Sequence, residues 1–190
     1  MARLIDDLLS LSRIEMDQNV APDESVDIAA VLKSVGHAMN FRLAEKKSSV
    51  VFDFGENLPE ILGDRDQLVQ VFTNLFDNAL KYGRENEPII VKAQASDRLQ
   101  NLTIPGVAIS VFNSGEGIPP EHIPRLTERF YRVDAARSRQ LGGTGLGLAI
   151  VKHIITRHRG FLKIESMPGT GTTVTVELPQ KPQAAQIQPS

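Results

Sequence analysis

Asp66-Gln67-Leu68-Val69-Gln70-Val71-Phe72-Thr73-Asn74-Leu75-Phe76-Asp77-Asn78-Ala79-Leu80-Lys81-Tyr82 is the stretch from which the architecture can be read. Leu68, Val71, Phe72, Leu75 and Ala79 recur at three- and four-residue steps, which places them on one face of an α-helix. The spacing predicts a helix from about 64 to 82. At ~100° per residue, Asn74, Asn78 and Lys81 fall on one flank of the apolar face, with Tyr82 at the seam. Such a flank has two readings. Most polar flanks are simply solvated. Alternatively, amide oxygens are hard neutral ligands that share Mg²⁺ with phosphate oxygens, the ammonium answers phosphate charge, and the tyrosine ring lies against a flat base.

Outward from this helix, the chain alternates helix and strand signals. Residues 2–17 carry Leu4, Leu8 and Leu11 at helical spacing, a broad apolar stripe that a short helix must bury against something. It fits a core helix of the same domain or one strand of a bundle. Residues 18–26 read as a polar linker holding Pro22. Asp27 then caps a helix whose stripe is Ile28, Val31, Leu32, Val35, Met39 and Leu43. Strand patterns follow at 50–54, 89–95 and 107–111. After the helix from about 146 to 159, with Gly160 expected at its left-handed C′ position, strands 161–167 and 172–178 are joined by Pro168-Gly169-Thr170-Gly171, a hairpin signal. Residues 180–190 are rich in Pro and Gln and are expected to be a disordered tail. This order predicts an α+β fold, a two-layer sandwich with a mixed, mostly antiparallel sheet and helices on one face.

Composition bounds the function. With 190 residues there is one domain of ordinary size and a remainder. Cysteine is absent, which excludes disulfide scaffolds, zinc ribbons and thiol nucleophiles. Lys and Arg number 21 against 23 Asp and Glu, a net charge of −2 that points away from a general nucleic-acid binder. No apolar run reaches the ~18 residues of a membrane span, and the first residues do not read as a signal peptide.

Three further clusters carry chemistry. Gly115-Glu116-Gly117 closes the strand at 107–111; it serves a tight turn or a close approach of backbone to a ligand. Gly142-Gly143-Thr144-Gly145-Leu146-Gly147 runs straight into an apolar helix, as a flexible hinge or as a phosphate-binding helix N-terminus. It lacks the Gly-Lys-Ser/Thr of a P-loop and the preceding strand of a dinucleotide fold. Between these clusters, 119–143 has no sustained period, which marks a lid or binding loop. Its Arg129-Phe130-Tyr131-Arg132, Arg137 and Arg139 suit nucleic acid or, given the near-neutral total charge, phosphate.

In this order the clusters resemble the ATP-binding catalytic domain of bacterial sensor histidine kinases, within the GHKL (Bergerat-type) ATPase superfamily. Residues 66–82 look like its N box, 113–119 its G1 box, 129–132 its F box, 143–150 its G2 box and 169–172 its final glycine turn. The likeness covers about 27–179. Arg125-Leu126-Thr127-Glu128-Arg129-Phe130-Tyr131-Arg132-Val133-Asp134 further resembles sensor kinases of the phosphate-starvation type, and residues 1–17 resemble the end of the second helix of the dimerisation and phosphotransfer bundle.

The resemblance implies ATP and Mg²⁺ as cofactors. It makes Asn78 a Mg²⁺ ligand with Asn74 beside it, and brings Lys81 and Arg132 to the phosphates; these four would be the catalytic set. Tyr82 and Tyr131 would flank the nucleotide. Asn113, Gly115, Gly117, Ile118 and Thr172 would line its site, while Thr144, Gly145, Leu146 and Gly147 would present backbone N–H groups to the phosphates. It implies a response-regulator receiver domain and the chain's own bundle as partners, in a parent homodimer. Neither nucleic acid nor membrane contact is implied for this segment. The expected location is cytoplasmic, with the parent anchored in the inner membrane.

Two departures stand out. His37, His122, His153 and His158 are the only histidines, and none lies in the family's His-Asp/Glu-x-x-Thr-Pro acceptor motif. Asn113 stands where the family has an Asp that accepts from the adenine amino group. Asn74 occupies the position where hydrolytic members of the superfamily carry a carboxylate base, and an amide takes no proton from water. That favours a kinase over an ATPase. A degenerate docking or regulatory module, favoured slightly by Asn113, is the alternative.

Overall fold

Asp27 and Asp64 each open a helix by accepting backbone N–H groups with their carboxylates, Asp27 from Ala30 and Asp64 from Asp66 and Gln67. The computed structural model describes residues 2–16, 20–134 and 143–182. Along the chain lie α1 (Ala2–Met16), β1 (Ser25–Val26), α2 (Ile28–Ala38), α3 (Asn40–Glu45), β2 (Val50–Phe54), β3 (Ile61–Leu62), α4 (Arg65–Tyr82), β4 (Ile89–Ser96) and β5 (Gly106–Ser114). A 3₁₀ helix (Pro120–Arg125), α5 (Gly147–Arg157), β6 (Phe161–Met167) and β7 (Gly171–Pro179) follow.

The main sheet has the order β2-β4-β5-β7-β6. Only β2 and β4 pair in parallel; the other three pairs are antiparallel. The expected mixed, mostly antiparallel sheet is what forms. Ile89, Val91 and Ala93 of β4 and Val107, Ile109 and Val111 of β5 alternate into the core, where they meet Leu68, Val71, Phe72 and Leu75 of α4 and Ile150, Val151 and Ile154 of α5.

Several local features differ from expectation. The 28–43 stripe is two helices, interrupted at Met39, whose N–H turns back to Val35 and Gly36 carbonyls. Ser25–Val26, inside the expected linker, pair antiparallel with β3. The left-handed residue ending α5 is Arg159 (φ 54), not Gly160. The N–H groups of Arg159 and Gly160 donate to Thr156 and Ile155 carbonyls at 3.0 and 2.9 Å, a Schellman closure. Gly160 is needed for a different reason: a Cβ there would lie 2.5 Å from the Glu177 carbonyl oxygen. At the expected tail, Gln180 bridges to Ile61 and its N–H donates to Pro105; Lys181 donates to Glu60. Residues 183–190 and 17–19 lie outside the described residues.

α1 lies against α5. Leu11 and Ile14 enter the core, while Leu4, Ile5, Leu8 and Leu9 remain exposed. The stripe is therefore split, its C-terminal part buried by this domain and the rest uncovered.

His158 ties the two site-bearing helices together. Its Nε2 accepts from the Asp64 N–H at 3.0 Å at the start of α4, and its Nδ1 donates to the Ile154 carbonyl at 2.8 Å. Burial pushes its pKa below the ordinary histidine value. The folded state thus needs the neutral ring, and the unfolded state binds the extra proton. This contribution is complete above about pH 6.5 and is lost as pH falls toward the lowered folded value. Urea unfolding at pH 7.5 and 5.5 should show the chain losing stability on acidification, with a shallower loss in His158→Gln.

Candidate active site

α4 supplies one wall of the site. Asn74 Nδ2 donates to the Gln70 carbonyl at 3.1 Å, which fixes the amide. A Cβ on Gly147 would sit 3.0 Å from Asn74 Oδ1, so glycine lets the start of α5 close onto that amide. Asn78, Lys81 and Tyr82 continue along the cavity wall, as the helical flank requires. Lys81 Nζ lies 3.0 Å from Asp77 Oδ2 one turn back.

The glycine run supplies the opposite wall. Gly145 has φ +76; its carbonyl accepts from the Phe130 N–H at 2.9 Å, and a Cβ would lie 2.9 Å from Phe130 Cα. Phe130 is itself left-handed at φ 63, an uncommon conformation for an aromatic residue. The 129–132 segment and the glycine run are thereby seated on each other, and the Arg132 guanidinium donates to the Gly143 carbonyl. α5 begins without a side-chain cap, which leaves N–H groups of its first turn available to an anion.

Tyr131 is oriented by His122, whose Nδ1 lies 2.6 Å from the phenol oxygen, and by the Arg125 guanidinium 4.2 Å from its ring centroid. Glu128 hydrogen-bonds Arg125 and raises its pKa further.

The strand end closes the third side. Gly115 bridges to Gly83 after α4, and its N–H donates to the Thr170 carbonyl at 3.1 Å. The Ile118 N–H donates to Ser166 Oγ at 2.9 Å, and that hydroxyl lies 2.7 Å from Thr172 Oγ1. Asn113 Nδ2 donates to the Ser114 carbonyl at 3.2 Å, which leaves Oδ1 as the amide's remaining acceptor.

These walls enclose a cavity of about 300 Å³, the lower end of small-ligand sites. Asn74, Asn78, Lys81, Tyr82, Asn113, Gly117, Ile118, Tyr131, Arg132, Thr144, Gly145, Gly147 and Thr172 all line it. Gly115 and Leu146 do not. Gly115 is spent on the Gly83 bridge. Leu146 is a core side chain, with its N–H 3.3 Å from Thr144 Oγ1. Arg137, Arg139 and Gly142 fall outside the described residues.

Sequence reading missed two kinds of lining residue. The apolar floor includes Ile164 and Val174; the strand alternation was visible, but not which face carried the cavity. Asp7 reaches the wall from α1, accepting from Thr144 Oγ1 at 2.7 Å. No local signal marks it, because only the docking of α1 brings it there.

Residues 63–182 match the model of the Histidine kinase-, DNA gyrase B-, and HSP90-like ATPase family. The chain belongs to that family. Within it, the chain resembles sensor kinases. It is 38% identical over 175 residues to the phosphate regulon sensor protein PhoR of Pseudomonas aeruginosa, covering 92% of this chain and 38% of that protein. It is 35% identical over 185 residues to the sensor histidine kinase WalK of Bacillus subtilis, covering 95% of this chain and 29% of the relative. The chain therefore spans less than half the length of these relatives. Among solved structures, full-length ShkA in complex with AMPPNP superposes with a TM-score of 0.80 at 29% identity, over 96% of this chain and 36% of that one. The histidine kinase AdeS of Acinetobacter baumannii, at 24% identity and TM-score 0.73 over 95% of this chain and 79% of that one, shares the fold. The chain is thus a domain of this ATPase family that is similar, over nearly its whole length, to part of the sensor kinases PhoR and WalK.

Proposed function

We propose that this domain holds Mg²⁺-ATP and supplies its γ-phosphoryl to a histidine on a bundle domain, for relay to the aspartate of a response-regulator receiver. The observation that carries this reading is the cavity in which Asn74, Asn78 and Lys81 of α4 face the glycine-rich entry to α5. One wall offers amides and an ammonium, the other offers backbone N–H groups and Arg132. That combination suits a triphosphate with a hard cation between the walls.

The donor set fits Mg²⁺. Among the described residues no group of three or more His, Cys, Asp or Glu is placed to hold a metal ion. Mg²⁺ usually keeps several waters and is shared with substrate phosphates rather than caged by protein. Asn78 would hold it through its amide oxygen, with Asn74 beside it. When bound, the ion neutralises charge on the phosphate oxygens. The chain's own groups do the rest. Lys81 and Arg132 offset phosphate charge, the Gly145–Gly147 backbone orients the phosphates, and Tyr82 and Tyr131 flank the nucleoside. Phosphoryl transfer of this kind relies mainly on positioning and charge stabilisation.

Asn113 would accept from the adenine amino group through Oδ1, as a neutral acceptor in place of a carboxylate. The contact falls from about 1.5–3 to about 0.5–1.5 kcal/mol. Calorimetric titration with ATP and Mg²⁺ should find Asn113→Asp binding roughly tenfold tighter than the unsubstituted chain, for about 1.4 kcal/mol regained. Equal affinities would remove the base-reading role. No binding at millimolar ATP would favour the docking-module alternative.

α1, with Leu4, Ile5, Leu8 and Leu9 exposed, would be the end of a bundle helix that dimerises in the parent. No helix among the described residues is long and apolar enough to cross a membrane. The proposed setting is the cytoplasmic side of a parent anchored in the inner membrane.

A further inference from the structure

Asp77 is 2% exposed, the most buried carboxylate among the described residues, and the nucleotide reading gives it no part. It carries two cations. Oδ2 lies 3.0 Å from Lys81 Nζ on its own helix, and Oδ1 pairs with the Arg42 guanidinium of α3. Lys81 lines the cavity and its side chain is 12% exposed; Asp77 and Arg42 do not line it. The α3 end is tied to α4 a second time by Lys46 Nζ, which donates to the Leu80 carbonyl at 3.1 Å.

We propose that Asp77, anchored from behind by Arg42, is a positioning residue that fixes the Lys81 ammonium at the cavity wall for the phosphates of the nucleotide. The inference rests on the nucleotide reading above. A lysine side chain is long and flexible, and holding its head in one place costs side-chain entropy at the moment of binding. The Asp77 pair meets that cost on folding. A carboxylate serving one lysine alone would also cancel the charge it positions. Here Arg42 occupies the other oxygen, so the three groups keep a net positive charge and Lys81 stays attractive to an anion. Fold stability by itself does not require the arrangement, because buried ion pairs are commonly replaceable by apolar residues of similar size.

The test compares ATP with adenosine, since only ATP reaches Lys81. Calorimetry on the unsubstituted chain, Asp77→Asn and Arg42→Met gives the ratio of the two affinities. In Asp77→Asn the loss of the fixed Lys81 head outweighs the added positive charge, so the ratio should fall about tenfold while adenosine affinity stays constant. Arg42→Met leaves a partly exposed position and should lower the same ratio about threefold, as both Asp77 oxygens turn to Lys81. An unchanged ratio in folded Asp77→Asn, or equal losses for ATP and adenosine, overturns the proposal. If Asp77→Asn fails to fold, Arg42→Met decides alone: an unchanged ratio overturns it. Nucleotide binding with an unchanged ratio removes this inference only; no ATP binding by the unsubstituted chain removes the nucleotide reading together with it.

Discussion

Asn78→Ala is expected to lower phosphoryl transfer by more than about 100-fold while leaving the fold intact. Asn78 lies on the flank of α4, outside the buried face made by Leu68, Val71, Phe72, Leu75 and Ala79, and alanine is a better helix former than asparagine. The substitution therefore costs little stability. What it removes is the amide oxygen proposed to hold Mg²⁺ between α4 and the phosphates. Losing an outer partner of a metal ligand typically costs about 10–100-fold, and loss of the ligand itself should exceed that. The loss should appear as a weaker Mg²⁺ dependence of ATP binding and as slower transfer. Far-UV circular dichroism and the unfolding midpoint should match the unsubstituted chain. A variant with ordinary Mg²⁺ dependence would show that the amide faces solvent only.

Gly117→Ala is expected to destabilise the protein by about 2–5 kcal/mol, adding an overpacking cost to left-handed strain. Gly117 sits at φ +72, and a Cβ there would lie 2.3 Å from the Met167 carbonyl oxygen, 2.7 Å from its carbon and 2.8 Å from Pro168 Cα. All three are backbone atoms, so no rotamer change relieves the clash. Either the turn after β5 or the β6–β7 hairpin must move. The shift would pull the Ile118 N–H from Ser166 Oγ and disturb Thr172. Nucleotide affinity should fall with stability. Gly169→Ala is the control. Gly169 also has a positive φ, +80, but nothing lies within 4 Å of its added Cβ. It should show the strain alone, about 1 kcal/mol. Equal effects at the two positions would mean that the Met167 contact does not constrain the turn.

The parts of the fold that were readable in advance are those with a long period or a capping residue. α4 has an Asp at its N-cap and a sustained apolar stripe, so its buried face and its flank of Asn74, Asn78 and Lys81 followed directly. Strands β4 and β5 alternate clearly enough to place Val91, Val107 and Ile109 in the core. The break at Met39 was hidden because the apolar stripe runs on across it: Met39 and Leu43 are both buried. A change of helix axis that keeps the same face inward leaves the hydrophobic pattern intact. β1 and β3 pair over two residues each, too short for alternation to register. At the end of α5, Arg159 takes the left-handed position, and the glycine one residue later is required where the chain passes against Glu177.

The site divides in the same way. Its glycine-rich turns and α4 flank were recognisable because their chemistry is local. Asp7 and Asp77 were not, because each acquires its setting from another element: Asp7 from the docking of α1 against the Thr144 hydroxyl, Asp77 from Arg42 on α3. Before folding, Asp77 is one more acidic residue on a helix, and Asp7 one of a pair within a leucine stripe.

As proposed, this domain donates the γ-phosphoryl of ATP to a histidine that lies outside its own four, none of which sits in an acceptor motif. The direct measurement incubates the chain with γ-labelled ATP, Mg²⁺ and a separately produced bundle domain bearing the His-Asp/Glu-x-x-Thr-Pro motif. Label should appear on the bundle, be lost when its acceptor histidine is replaced, and fail to appear with Asn78→Ala. An unlabelled bundle, with no ATP bound to this chain at millimolar concentration, would contradict the account.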